Sequence, residues 1–498
     1  MTIGNMSAEI VNQEVYNSMV AYLRERKIRL PTFSQLMSPE TIPQEIRERL
    51  EDIDPQSSHP LNLYRVHWYN STTDRSIKSV PEHVILPSSL TGVEAQVVVM
   101  FGNSFPMISA HKVLAAYACL VPKLLSGEFD PVVNRAIWPS TGNYCRGGVA
   151  ISKILGCRGV AILPEGMSKE RFDWLNEWVM SPTQDIVRTY GTESNVKEIY
   201  DKCNELAADD ANVIFNQFSE FANYISHYHC TGKALSDVYD QLKASNEALN
   251  LHAFVATTGS AGTIAAGDYL KDRFGANIVA AEPVECPTML YNGFGEHNIQ
   301  GIGDKHLPLI HNVMNTDMIV GISDRASDSL NLLFNHSVGQ KYLLARKGIC
   351  SDIVTDKLGR IGLSGIANIL GAIKAAKHYK LGKDDVVITI ATDSSQMYCS
   401  EQDKEIHNHR GGQFDELEAA EIFGQYLGGV TTDHSLELGR CGRERVFNLG
   451  YYTWVEQQGV SVEDFEQRRK PEFWNKLKQV IYDWDRMIEA ANTSIGVG

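Results

Sequence analysis

Six short apolar runs, spread over residues 95–390 and separated by amphipathic stretches, limit this chain to one kind of architecture. The runs at 95–100, 159–163, 212–215, 253–256, 277–281 and 385–390 have the length and the Val, Ile and Ala content of buried strands. Helical patterns lie between them, such as 112–120, which ends near Pro122, and 148–155. Strands alternating with helices form a mostly parallel sheet covered on both faces. The expected class is therefore α/β. Ligands of such sheets bind beyond the carboxyl ends of the strands, so the loops after strands are where chemistry is expected.

The flanks read differently. Residues 7–27 and 39–52 show helical periodicity, and a polar stretch around Pro55 and Pro60 reads as a linker. Past residue 400, polar turns at 407–412 give way to amphipathic helices at 414–427 and 462–491. The expected units are an N-terminal helical extension at 1–78, a core at 79–400 and a C-terminal helical extension at 401–498.

A net charge of −15 argues against a nucleic-acid partner, which calls for a basic surface. The nine cysteines are odd in number and form no C-x-x-C pair, which points to a reducing compartment rather than a disulfide or zinc framework. Residues 1–30 contain no apolar core of a secretory signal, and no apolar run approaches the roughly 18 residues of a membrane span. A cytoplasmic protein with no membrane partner is expected.

Four loops carry candidate chemistry. Thr257, Thr258, Gly259, Ser260, Ala261, Gly262 and Thr263 follow a strand and open a helix. Small residues there let amides approach an anion, which fits a phosphate cup; a tight turn packed with small residues fits equally well. Ser140, Thr141, Gly142 and Asn143 crowd donors at a second helix start and suit a carboxylate or phenolate, although a helix cap alone would explain them. Lys112 heads an apolar helix after Ser109, Ala110 and His111. A cation at a helix N-terminus is disfavoured and calls for a reason, such as conversion to an imine; a lysine snorkelling to the surface is the plain alternative. Thr392, Asp393, Ser394 and Ser395 follow the last strand, as an ordinary turn would.

Their order along the chain resembles the fold-type II pyridoxal-phosphate (PLP) enzymes, most of all the cysteine synthase and cystathionine β-synthase family. Six segments carry the resemblance: 140–143; 162–171, with Pro164, Glu165, Met167, Ser168, Glu170 and Arg171; 216–223, with Gln217, Phe218 and Asn223; 259–263; Glu282-Pro283; and 299–303. The resemblance implies two α/β subdomains with parallel sheets, tryptophan synthase β-like, the smaller one mobile and spanning about 115–220. It also assigns roles. Lys112 would hold PLP as a Schiff base and act as the base for the α-proton. Gly259, Ser260, Ala261, Gly262 and Thr263 would hold the phosphate, and Asn143 would bond the phenolic oxygen. Ser394 would face the ring nitrogen. Ser140, Thr141 and Gln217 would bind the substrate carboxylate. No metal is implied.

The chemistry implied is β-elimination or β-replacement, through an aminoacrylate, on a cysteine-, serine- or O-acetylserine-like amino acid, carried out by a homodimer. The alternatives are the PLP subunit of a 2-amino-4-oxopentanoate thiolase and a non-catalytic PLP-fold regulatory protein. The chain departs from the family pattern at Tyr144, where threonine is usual, and at Ala261, where glycine is. His111-Lys112 is similar to the His-Lys pair of tryptophan synthase β-subunits. Two further clusters, His407 with His409 and Arg440 to Arg445, lie past the core. The first could ligate a metal and the second could select an anion, but surface histidines and an exposed ion-pair network explain them more simply.

Overall fold

The computed structural model describes residues 6–74 and 76–496. The apolar runs become strands of two sheets. The larger sheet contains β1 (His83–Leu86), β2 (Gln96–Phe101), β7 (Asn250–Thr257), β8 (Asn277–Pro283), β9 (Met318–Ile322), β10 (Asp385–Ala391) and β11 (Ser435–Glu437). Its order is β1-β2-β10-β7-β8-β9-β11. The five inner strands run parallel, and β1 and β11 pair antiparallel at the two edges. The smaller sheet has β3 (Arg135–Pro139), β4 (Arg158–Pro164), β5 (Ile186–Thr189) and β6 (Asn212–Ile214), in the order β5-β4-β3-β6 and all parallel. This is the α/β class with two parallel-sheet units. Parallel strands covered on both faces need continuous apolar sequence. The core strands β2, β7, β8 and β10 have it and were legible, as were β4 and β6. Strands β1, β5, β9 and β11 were not anticipated. Three of them are only three or four residues long, and β9 is an isolated apolar run beside a turn.

Prolines moved two helix boundaries. The helix expected to end near Pro122 runs from Lys112 to Ser126 with Pro122 inside it. An interior proline costs about 3 kcal/mol, chiefly through a lost hydrogen bond and a ring clash. Here the turns on both sides are buried, Leu120, Val121, Leu124 and Leu125 completely, and their packing offsets that cost. The single helix expected at 462–491 is instead two, Val462–Gln467 and Pro471–Ile495. Lys470 precedes a proline and is extended (φ −95°, ψ 127°), and Pro471 starts the second helix at its first position. The expected turn at 407–412 also shifts, because His407 and His409 are the last turn of the helix Cys399–His409.

The terminal segments are helical and share one core with the central region. Leu23, Leu30, Phe33, Trp474, Trp484 and Ile488 belong to the same buried cluster as Leu114, Tyr117 and Val121 of the Lys112 helix. Asp485 accepts from the Phe33 amide at 2.6 Å and from the Ser34 hydroxyl at 2.5 Å. The Tyr117 hydroxyl donates to the Pro31 carbonyl at 2.6 Å, so the N-terminal extension braces the helix that carries Lys112. Among the described residues no helix is long and apolar enough to cross a membrane. The nine cysteines are unpaired.

Candidate active site

The carboxyl ends of β3, β7 and β10 converge on one cavity. It is lined by His111, Lys112, Ser140, Thr141, Asn143, Tyr144, Gln217, the run Gly259 to Thr263, Gln300 to Ile302, and also Thr257, Ser364 and Thr392. Lys112 leaves the strained approach that holds Met107 (φ 65°) and Ser109 (φ 49°). Its Nζ donates to Ser260 Oγ at 2.8 Å and to Gln217 Oε1 at 3.0 Å. Burial pulls the ammonium down to about 8, opposed by the negative potentials of Cys119, Asp304 and Glu193. A lysine so placed reaches its neutral, nucleophilic form near physiological pH.

The turn from Gly259 to Thr263 lies between β7 and the helix Ala265–Phe274. The consecutive backbone N–H groups from Gly259 to Ile264 donate to no described residue. Amides left free at a strand-to-helix turn form an anion cradle. The turn is fitted closely to its surroundings: a Cβ on Gly262 would lie 2.2 Å from Asn223 Oδ1. Asn223 Nδ2 donates to the Gln217 carbonyl at 3.0 Å and to Ser260 Oγ at 3.1 Å, tying the turn to the neighbouring segment. Thr263 Oγ1 meets His111 Nε2 at 2.9 Å. Burial, then the positive potentials of His227 and Lys112, hold His111 well below the usual imidazole range. The residue before the lysine is thus a neutral ring that braces the turn.

Ser140, Thr141 and Asn143 occupy the opposite wall. Ser140 Oγ accepts from the Gly142 amide at 2.9 Å. Gly142 leaves room for Arg171, since a Cβ there would lie 2.6 Å from Arg171 Nε. Arg171 donates to the Gln300 side chain, and to the Tyr398 hydroxyl at 3.0 Å. Tyr398 donates to Asp393 at 2.7 Å, and Asn143 Nδ2 donates to the same carboxylate at 2.7 Å. Arg146 completes the chain by donating to Asn143 Oδ1 at 3.0 Å. This buried network joins the small-sheet helices to the loop after β10. Tyr144, the departure noted above, is buried edge-on to Trp138, and its ring centre lies 5.9 Å from Lys112 Nζ.

One expected residue stands apart. Ser394 is buried outside the cavity wall, at the start of the 3-10 turn Ser395–Tyr398. The hydroxyls on the wall at that end are Thr392 and Ser364, 3.0 Å apart. The arginine cluster serves structure. Arg443 donates to the Thr316 carbonyl at 2.8 Å and pairs with Asp317 at 2.9 Å, and Arg445 donates to the Met289 carbonyl at 2.7 Å. Two acids are buried behind the wall, Glu193 and Asp304, although each sits in a polar stretch that reads as a solvated loop.

Two parallel-sheet units around a lysine, with a row of free amides at a strand-to-helix turn, define the fold-type II PLP enzymes. The chain belongs to the family of pyridoxal-phosphate dependent enzymes, whose pattern matches residues 106–393. It is 29% identical to cysteine synthase B of Campylobacter jejuni over 261 residues, 51% of this chain and 75% of the relative. It is 26% identical to cystathionine beta-synthase of Saccharomyces cerevisiae over 286 residues, 55% of this chain and 51% of the relative. A cysteine synthase structure from Entamoeba histolytica superposes with a TM-score of 0.54 at 18% identity, covering 71% of this chain and 94% of that one, a likeness of fold. The protein is a PLP-dependent enzyme, and the cavity suits the cofactor: free amides for a phosphate at one end, a lysine amine in the middle and amide and hydroxyl groups along the wall.

Proposed function

We propose that the chain catalyses β-replacement or β-elimination on a cysteine-, serine- or O-acetylserine-like amino acid, as a cytoplasmic homodimer. The observation that carries the reading is the Lys112 amine, held at 2.8 Å from Ser260 Oγ beside the free-amide turn. In this reading the turn from Gly259 to Thr263 holds the phosphate, and Lys112 binds the cofactor covalently. Asn143, fixed by Asp393 and Arg146, presents its amide to the phenolic oxygen. Ser140, Thr141 and Gln217 bind the amino-acid carboxylate.

Pyridoxal phosphate supplies an electron sink for the pair left at the α-carbon. The protein does the rest. With the cofactor bound, the Lys112 amine would serve as the base for the α-proton. The hydroxyls on the wall at the end toward the ring nitrogen, Thr392 and Ser364, are neutral. A hydroxyl stabilises a pyridinium less than a carboxylate does, which favours prompt loss of a β-substituent over transamination.

The names of the relatives support cysteine-type chemistry, and nine unpaired cysteines, six of them buried, support a reducing compartment. The catalytic core of this reading spans 79–400, with a small subdomain at about 115–220 closing on substrate. Reconstitution with PLP should give a visible absorption band that Lys112→Ala lacks, with β-chemistry reduced by about 10³-fold or more in the variant. Cysteine formed from O-acetylserine and sulfide marks a synthase, and pyruvate released from cysteine marks a lyase. If the native protein gives neither product, the proposal fails. Sedimentation analysis tests the dimer.

A further inference from the structure

A second cleft, of about 660 Å³, opens where the two terminal segments meet, and it shares no residue with the active-site cavity. One side is residues 29–43 with Tyr64, and the other is the end of the C-terminal helix, at Glu489 and Asn492. Its frame is fixed. Asn492 holds Leu30, accepting from the amide at 3.0 Å and donating to the carbonyl at 2.8 Å. Thr32 and Gln35 close a reciprocal cap, each side-chain oxygen accepting from the other's backbone amide, at 3.1 and 3.0 Å.

Two polar groups in the cleft are left over. Arg29 makes no hydrogen bond or ion pair among the described residues, although its Nε is buried. Other arginines of the same segment are engaged: Arg24 Nε donates to the Ile495 carbonyl at 3.1 Å, and Arg47 Nε to the Ile42 carbonyl at 3.0 Å. Tyr64 is 2% exposed, lines the cleft and likewise makes no hydrogen bond among the described residues. Burial pushes its phenol up to about 12, and the positive charge of Arg29 opposes the rise, so the two groups face one corner. Buried donors without partners are costly, and a ligand that accepts from both would remove the cost.

We infer that Arg29 and Tyr64 form the head of a second binding site, which takes the oxyanion of a small molecule, a carboxylate or a phosphate. A guanidinium presents parallel N–H groups that match the oxygens of either anion, and the phenol adds an O–H donor. The wall beside them carries further donors, the Gln35 side-chain amide and the Ser38 hydroxyl. Among the described residues the one acid on the wall is Glu489, which is exposed at the rim. That balance suits an anion and not a cation. The bound group would join the N-terminal segment to the C-terminal helix. It would also sit beside Pro31, whose carbonyl receives the Tyr117 hydroxyl of the Lys112 helix. The inference does not depend on the β-chemistry proposed above.

The test is a calorimetric titration of full-length holoenzyme, whose phosphate turn is already filled, with inorganic phosphate and separately with succinate at constant ionic strength. At least one of the two should bind the native protein. Arg29→Gln should weaken that binding at least about tenfold, and Tyr64→Phe, which keeps the ring, about fivefold. A response to phosphate alone assigns the site to a phosphate-bearing ligand, and a response to succinate alone to a carboxylate. Without either probe, Tyr64→Phe should not lower the melting temperature, because the hydroxyl it removes has no partner to lose. A native protein that binds neither probe overturns the inference. So do variants that bind within about twofold of native, which would place the anion elsewhere. A Tyr64→Phe protein that melts earlier than native also overturns it, by showing that the hydroxyl serves the fold.

Discussion

The two ends of the cavity are built in different ways. The end at Gly259 to Thr263 is one continuous turn between β7 and its helix, and its donors are backbone amides. The end at Ser140 to Asn143 is assembled from both sheets. Its positions depend on Arg171 from one unit and on Gln300, Asp393 and Tyr398 from the other. A local turn is fixed once its strand and helix form. An assembled wall is fixed only when the two units meet, so cofactor binding and substrate binding should respond to different substitutions.

Arg171→Met is the strongest way to break that separation. It removes the donor to Gln300 and Tyr398 and the cation that most favours the charged form of Glu193. Misplacing a positioning group by about 1 Å costs on the order of 10²-fold. KM for the amino acid should rise by about that factor while the cofactor dissociation constant moves less than about threefold. An equal loss in both would mean that the two ends are one unit. The converse change is Gly262→Ala, whose Cβ would have to displace Asn223. The cofactor dissociation constant, measured by fluorescence titration, should rise about tenfold, or about 1.4 kcal/mol, with KM of the loaded enzyme little altered.

The lysine between the two ends gives a smaller effect, set by pH. Burial disfavours its ammonium form and brings the midpoint to about 8. The neutral amine is the form that captures the cofactor. The capture rate of apoprotein should therefore rise about tenfold per pH unit on approaching pH 8 and level off above it. A rise continuing to the ordinary lysine range would show that Lys112 is solvated rather than enclosed.

The same contrast explains what the sequence made legible. The phosphate turn could be read because strand, small residues and helix are contiguous. Lys112 taken alone was ambiguous, and its place opposite Ser260 comes from β2 and β7, far apart in the chain, both pairing with β10. Glu193 stands among Gly191, Thr192, Ser194 and Asn195, a stretch that reads as a solvated turn. Its burial comes from packing that loop against Gly301, which no local pattern encodes. Ser394 fitted the family pattern by position, yet it is Thr392 after β10 and Ser364 of the helix Leu363–His378 that reach the wall. Pro122 and Pro471 misled in opposite senses. Burial carried one helix through its proline, while at the other Lys470 before Pro471 is exposed and extended and the helix breaks there.

The phosphate turn also carries a strain that can be measured. Ala261 adopts φ 62°, a left-handed conformation that costs a residue with a Cβ about 1–2 kcal/mol. Glycine avoids that cost but loses more chain entropy on folding, about 0.4–1 kcal/mol. Ala261→Gly should therefore stabilise the apoprotein by between about 0 and about 1.6 kcal/mol in urea unfolding. If the strain is relieved equally with and without cofactor, affinity stays the same. If the left-handed alanine instead holds the amides ready for the phosphate, Ala261→Gly will stabilise the apoprotein while weakening the cofactor, and the turn will prove to be less self-sufficient than its contiguous sequence suggests.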